Sequence, residues 1–371
     1  MNKKEKENKQ FMLLSAFAIL FVVDAHAWSP LALFTNFFPY NSFFMPLFVF
    51  VSGYFFEEKH LRNPLRFLLR KGIRLLLPYY AILGTVLLLM HFLRYFVPIG
   101  KRYGQIVSIK KFLLTPFYKA NLSSLLTPGW FVPALFCVIL VWVLVRFVFQ
   151  KIWNDFIATI VYCIVGVICV YLSRHGWNET IWLPLVKTGF LVQFYQLGVL
   201  YRNKLEIGFR KIPALAVCLC AICINVLLQG LTQNQIYFND INKMSGFLTD
   251  IYVLPLVTSV TGIMFWLEIT DKLTPILGEN KLVNYISNHT YAIMMFHITW
   301  FNIYNFLISR VPVVASTFDF AAFYRKATYR YEPIAQFRIF YTIIGLVGPL
   351  LMCLCLEKLF EKCLRNKGVK K

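Results

Sequence analysis

Acidic residues are scarce in this 371-residue chain: Asp and Glu total 17 against 38 Lys and Arg, and all four types together make up only 15% of it. So little charge excludes an ordinary water-facing surface, since soluble domains carry about a quarter of their residues as charges. Histidine is also sparse, with 6 copies, so each can be weighed singly. No low-complexity tract, no repeat and no polar stretch long enough for a soluble domain interrupts the sequence, so residues 1–371 read as one transmembrane domain. What is abundant is apolar: 58% of residues are hydrophobic and the mean hydropathy is +0.62.

That balance places the chain in the membrane class. A spanning helix needs about 20 mainly apolar residues, because roughly 30 Å of hydrocarbon is crossed at 1.5 Å per residue. Candidate spans fall at 11–28, 42–56, 75–93, 130–149, 156–172, 181–201, 212–228, 247–267, 291–308 and 339–356. The expected fold is an all-α integral membrane protein with about ten transmembrane helices, both termini inside, multi-pass in the cell membrane. A net charge of +21 would point to nucleic acid in a soluble protein. Here most of the basic residues fall on the cytoplasmic side of that topology, the usual positive-inside bias. Membrane lipids, not nucleic acid, are the partners this implies.

The nine cysteines all fall within predicted spans or on the cytoplasmic side, where disulfides are not expected. Cys218, Cys220 and Cys223 resemble a metal spacing, but on a helix the first two point about 200° apart. No metal is expected. The basic lead MNKKEKENKQ followed by an apolar run could be read as a secretory signal with cleavage near Ala25-His26-Ala27, and sequencing the mature N-terminus tests that alternative.

Ionisable groups are costly in hydrocarbon and mark function by default. Asp24 and His26 close the first span; Asp24 lies two positions before His26 and does not share its helical face, so the spacing gives no Asp-His dyad. His26 is either an interfacial anchor or a base near neutral pH. In PLFVFVSGY, Ser52-Gly53 reads as a close-packing device or a place where a ligand approaches the backbone, and Ser52 has no nucleophile elbow. Arg70, Lys71 and Arg74 close a basic stretch begun by Lys59, Arg62 and Arg66. They are either a topology marker or, at helical spacing, one cationic face suited to phosphates. His297, in YAIMMFHITW, is a buried structural histidine or a second catalytic group. Trp130, after TPG, is an interfacial anchor or a sugar-stacking surface.

Taken together these stretches resemble the membrane acyltransferase-3 family, which includes polysaccharide and sugar O-acetyltransferases. FAILFVVDAHAWSP is similar to the family's first span ending in histidine, FFMPLFVFVSGYFF to its proline-to-Ser-Gly second span, and RKGIRLLLPYY to its basic third-span start. GWFVPALF and YAIMMFHI are similar to its Trp-Phe span and its late Tyr-to-His span. The resemblance implies an acyl-CoA donor, acetyl-CoA in the simplest case, reaching the site from the cytoplasm. It implies a hydroxyl of a cell-surface or lipid-linked sugar or polysaccharide as acceptor, and His26 as the essential histidine. One departure stands out: the family carries Arg or Lys about three turns before that histidine, whereas here the region reads Ser15-Ala16-Phe17 and the nearest base is Lys9. The rival classes are a transporter or flippase for a glycan or small metabolite, which would need paired helix breaks in corresponding halves, and a non-catalytic assembly scaffold, in which His26 would be replaceable.

Overall fold

The computed structural model describes residues 3–98, 103–118, 122–232, 238–247 and 250–366. In chain order the helices are α1 (Lys3–His26), α2 (Tyr40–Tyr54), α3 (Pro64–Leu93), α4 (Ile109–Tyr118), α5 (Phe131–Val148), α6 (Asp155–Arg174), α7 (Trp182–Leu200), α8 (Glu206–Phe209) and α9 (Ala214–Leu231). A hairpin, β1 (Phe238–Asp240) with β2 (Ser245–Phe247), precedes α10 (Leu254–Leu277), α11 (Lys281–Asn288), α12 (Thr290–Ile308), α13 (Pro312–Ala315), α14 (Phe320–Arg325) and α15 (Arg338–Asn366).

Seven helical stretches among the described residues are long and apolar enough to cross a membrane: those of α1, α3, α5, α6, α7, α9 and α15. Helices also stand at the other three predicted spans. α2 has only 15 residues; α10 and α12 are interrupted by polar side chains, among them Glu268, His297, Asn302 and Asn305. α6 and α9 turn Ile157, Ile160, Ile164, Leu215, Leu219 and Leu227 outward, the composition of a lipid-facing wall. α1 is the opposite case: Phe11, Leu14, Ile19, Phe21 and Val23 are almost wholly enclosed by α2, α10, α12 and α15.

Several boundaries differ from those expected of apolarity alone. α3 starts at Pro64, so Arg66 to Arg74 lie on the helix ahead of its apolar run; proline suits the first helical position, and the Asn63 side chain caps the Arg66 N–H at 3.0 Å. α10 begins later than residue 247 and continues through 268–277, where Thr270 and Thr274 are buried and return their hydroxyls to carbonyls one turn back. Charge near a helix end lowers hydropathy without breaking a helix whose polar groups are paired. α4, α11 and the hairpin, with strand register Phe238 to Phe247 and Asp240 to Ser245, lie in segments read as connections.

The two ends of the bundle are closed differently. At one, Lys9 of α1 pairs with Glu279, Arg202 donates to the Tyr54 and Phe56 carbonyls at 3.1 and 2.9 Å, and the Tyr291 hydroxyl donates to the Leu75 carbonyl at 3.2 Å. At the other, α1 ends at His26, whose ring meets that of His297 in α12.

Candidate active site

The first helix stops at His26 because the following chain adopts left-handed backbone at Trp28 (φ 66°), Ser29 (φ 53°), Ala32 (φ 46°) and Phe34 (φ 56°). Such angles are uncommon outside glycine and persist only where surroundings enforce them. Asp24, fully buried, is the enforcer. Its Oδ1 accepts from the Leu31 N–H at 3.3 Å and from the Thr342 hydroxyl of α15 at 2.9 Å, and its carbonyl accepts from Ser29 N–H at 2.7 Å. Asp24 therefore ties the reverse turn and α15 to α1 and leaves His26 to other partners.

His26 is half-buried and its ring meets that of His297, with centroids 5.0 Å apart and planes at 55°. Nδ1 of His26 lies 2.7 Å from the Val22 carbonyl and Nδ1 of His297 lies 2.8 Å from the Ile293 carbonyl. A carbonyl can only accept, so each Nδ1 carries the proton and each neutral ring presents a lone pair at Nε2. Two Nε2 acceptors cannot bond to each other directly; what could join them is a donor, a hydroxyl or a proton. The buried His297 Nε2 has no hydrogen-bond partner among the described residues.

A third group comes from a loop that reads as an ordinary outer connection. Arg330, 5% exposed, lies with its guanidinium 4.2 Å from the Phe301 ring and 5.4 Å from that of Tyr341. Phe301 in turn stands 5.7 Å from the His297 ring, and the charge of Arg330 acts on both histidines. The loop is held inward by polar side chains of α12 and α15: Asn302 donates to the Ala327 carbonyl at 2.7 Å, Asn305 to that of Tyr329 at 2.9 Å, and Tyr331 N–H donates to the Tyr341 hydroxyl at 2.7 Å. Burial pulls the Arg330 guanidinium down from its ordinary value to about 9, still cationic at neutral pH. Sequence reasoning missed Arg330 because Arg325, Lys326 and Arg330 look alike in a basic loop; the one signal was the polar Asn302 and Asn305 on an otherwise apolar helix.

The other predicted residues are dispersed. Ser52 returns its hydroxyl to the Phe48 carbonyl at 2.9 Å, and a side chain at Gly53 would overlap the Tyr195 carbonyl of α7, as one at Gly198 would overlap that of Phe50. This pair is a close helix crossing. Trp130 is buried at the end of a 3-10 turn (Ser124–Trp130), with the Lys187 ammonium 4.9 Å from its ring. Arg70 and Arg74 are exposed and Lys71 is partly covered, lying 5.6 Å from the Phe67 ring. No carboxylate among the described residues pairs with any of the three. Lys9, the base nearest the family's missing cation, faces Glu279 instead. The trio Cys218, Cys220 and Cys223 carries free thiols, the last two exposed.

Two cavities open in the bundle. One of about 400 Å³ lies below the end of α2, lined by Phe56, Glu57, Glu58, Lys59, Arg146 and Arg202 among others. The second, about 350 Å³ and almost wholly apolar, is lined by Met90, Leu93, Tyr103, Thr299, Asn302 and Phe306.

A wall of apolar helices around two imidazoles with free lone pairs and a buried cation defines a multi-pass membrane protein equipped for proton-transfer chemistry. The chain belongs to the acyltransferase-3 family: the family's model, described as an acyltransferase domain, matches residues 9–357. It is a membrane acyltransferase. No curated protein and no solved structure gives a match.

Proposed function

We propose that this acyltransferase moves an acyl group, acetyl in the simplest case, from cytosolic acyl-CoA to a hydroxyl of a cell-surface or lipid-linked sugar. The observation that carries the reading is the Nε2 lone pair of His26, fixed by the Val22 carbonyl and half open at the end of α1. His26 takes the hydroxyl proton as the acceptor oxygen attacks the thioester carbonyl, and CoA leaves as a thiolate, a much weaker base than an alkoxide. His297, whose ring meets that of His26, can share that proton.

Arg70, Lys71 and Arg74 hold the phosphates of the donor at the opposite mouth, and its pantetheine arm threads between α3 and α12. Tyr291 touches Leu75 next to Arg74, and the six residues from Tyr291 to His297 span only about 9 Å of helix rise. In this reading α1 runs from the cytoplasm outward, all ten helices span, and the donor and acceptor arrive from opposite faces. The test is nuclear magnetic resonance of surface glycan from cells carrying inserted, folded His26→Ala. Loss of O-acetyl signal is expected, and retained signal overturns the assignment. Mass spectrometry of surface glycans with and without the gene identifies the acceptor.

A further inference from the structure

We infer that Arg330 is a catalytic residue that holds the carbonyl oxygen of the acyl donor and the oxyanion formed on it, an inference that rests on the acyl-transfer reading above. A buried cation without a counter-charge is costly, by several kcal/mol in real proteins, and proteins otherwise pair such groups with carboxylates. Here the charged state has no carboxylate partner among the described residues; the groups bearing on it are the Tyr341 and Tyr103 phenols, and its contacts are two aromatic faces and the Ala327 and Tyr329 carbonyls.

Unmet hydrogen-bonding capacity is found at the same place. Of nine buried side-chain polar atoms without a partner among the described residues, two belong to this corner: His297 Nε2 and Arg330 Nε. Buried polar groups are nearly always satisfied, so a pair of exceptions marks a place where a ligand supplies the partners. The fold also commits Asn302, Asn305 and Tyr341 to the carbonyls and amide of residues 327–331. A loop serving only to connect α12 to α15 would need none of that, and the clamps fix one side chain, Arg330, against the ring that also contacts His297.

The chemistry needs a cation here. When the acceptor oxygen bonds to the thioester carbon, the carbonyl π pair moves onto oxygen and the acceptor proton passes to His26 Nε2. Arg330 Nε–H then donates to the resulting oxyanion. On collapse the carbonyl re-forms, the C–S bond breaks with its electron pair on sulfur, and the imidazolium proton passes to the thiolate or to water. A preorganised donor in a dry site acts without reorganisation and is worth far more than one in water.

The experiment uses the full-length protein in lipid nanodiscs, with acetyl-CoA and an acceptor glycan. Arg330→Gln should weaken acetyl-CoA binding far less than it lowers turnover, which should fall about a hundredfold to a thousandfold; Arg330→Lys should recover part of the loss. Turnover of Arg330→Gln within threefold of wild type overturns the role. Should that variant fail to fold, isotope-edited infrared spectroscopy of ¹³C=O-labelled acetyl-CoA on the wild type, without acceptor, decides the matter: the carbonyl stretch is expected below its value in free acetyl-CoA, and an unshifted stretch overturns the role. The two readings fail separately. Activity surviving in His26→Ala, or no binding of acetyl-CoA by wild type, overturns the acyl-CoA mechanism itself, whereas loss with His26→Ala but not with Arg330→Gln removes Arg330 alone.

Discussion

The crossing of α2 with α7 and the crossing of α1 with α12 are built in opposite ways. In the first, Gly53 and Gly198 let two backbones touch, Ser52 is satisfied within its own helix, and Gln196 pairs with the Trp142 indole at 2.8 Å. In the second, two imidazoles meet at 5.0 Å and polar atoms remain without partners among the described residues. The first is a finished interface and the second is one that waits for a ligand. Polar residues inside a membrane protein therefore separate by whether their hydrogen bonds close, not by residue type.

Substitutions on the two sides of this contrast should act differently. The largest effect is expected from His26→Ala, which should lower transfer by about a hundredfold to ten-thousandfold, the range of a lost general base, with the folded fraction unchanged by size-exclusion chromatography. Gly53→Val comes next and acts through the fold: its side chain would overlap the Tyr195 carbonyl, so a stability loss of about 1–3 kcal/mol or more is expected. Thermal unfolding in detergent checks it, and an unshifted melting temperature would show that α2 and α7 can separate. Arg74→Ala should raise the acyl-CoA concentration needed for half-maximal rate more than it lowers maximal turnover; initial rates over a donor series decide. Ser52→Ala is the smallest, since its hydroxyl only returns to Phe48: a change within about 0.5 kcal/mol in stability is expected, and unaltered transfer kinetics.

Much of the architecture was legible because lipid imposes long apolar runs, and the helix that ends at His26 and the helix that carries His297 followed from the runs that contain them. The cationic step on α3 was legible too, although its helical start at Pro64 was not, because hydropathy is blind to a capped, charged first turn. The hairpin and α11 escaped for a related reason: both are short polar elements whose order comes from tertiary contacts. His297 could be named but not placed, since nothing in the sequence brings residues 26 and 297 together. Arg330 was hidden further still. Its burial depends on Asn302, Asn305 and Tyr341 closing on a loop whose composition matches any solvated connection.

The shortness of α2 has a consequence for the depth of the barrier. Fifteen residues rise only about 22 Å, less than the roughly 30 Å of hydrocarbon, yet α2 needs no match to lipid because α1, α7 and α10 enclose it. Its last turn halts at Tyr54 with Arg202 sealing the carbonyls, and the 400 Å³ hollow opens just beyond. The charged lining of that hollow, Glu57, Glu58, Lys59, Arg146 and Arg202, is thereby set directly against the end of a helix shorter than the hydrocarbon layer is thick.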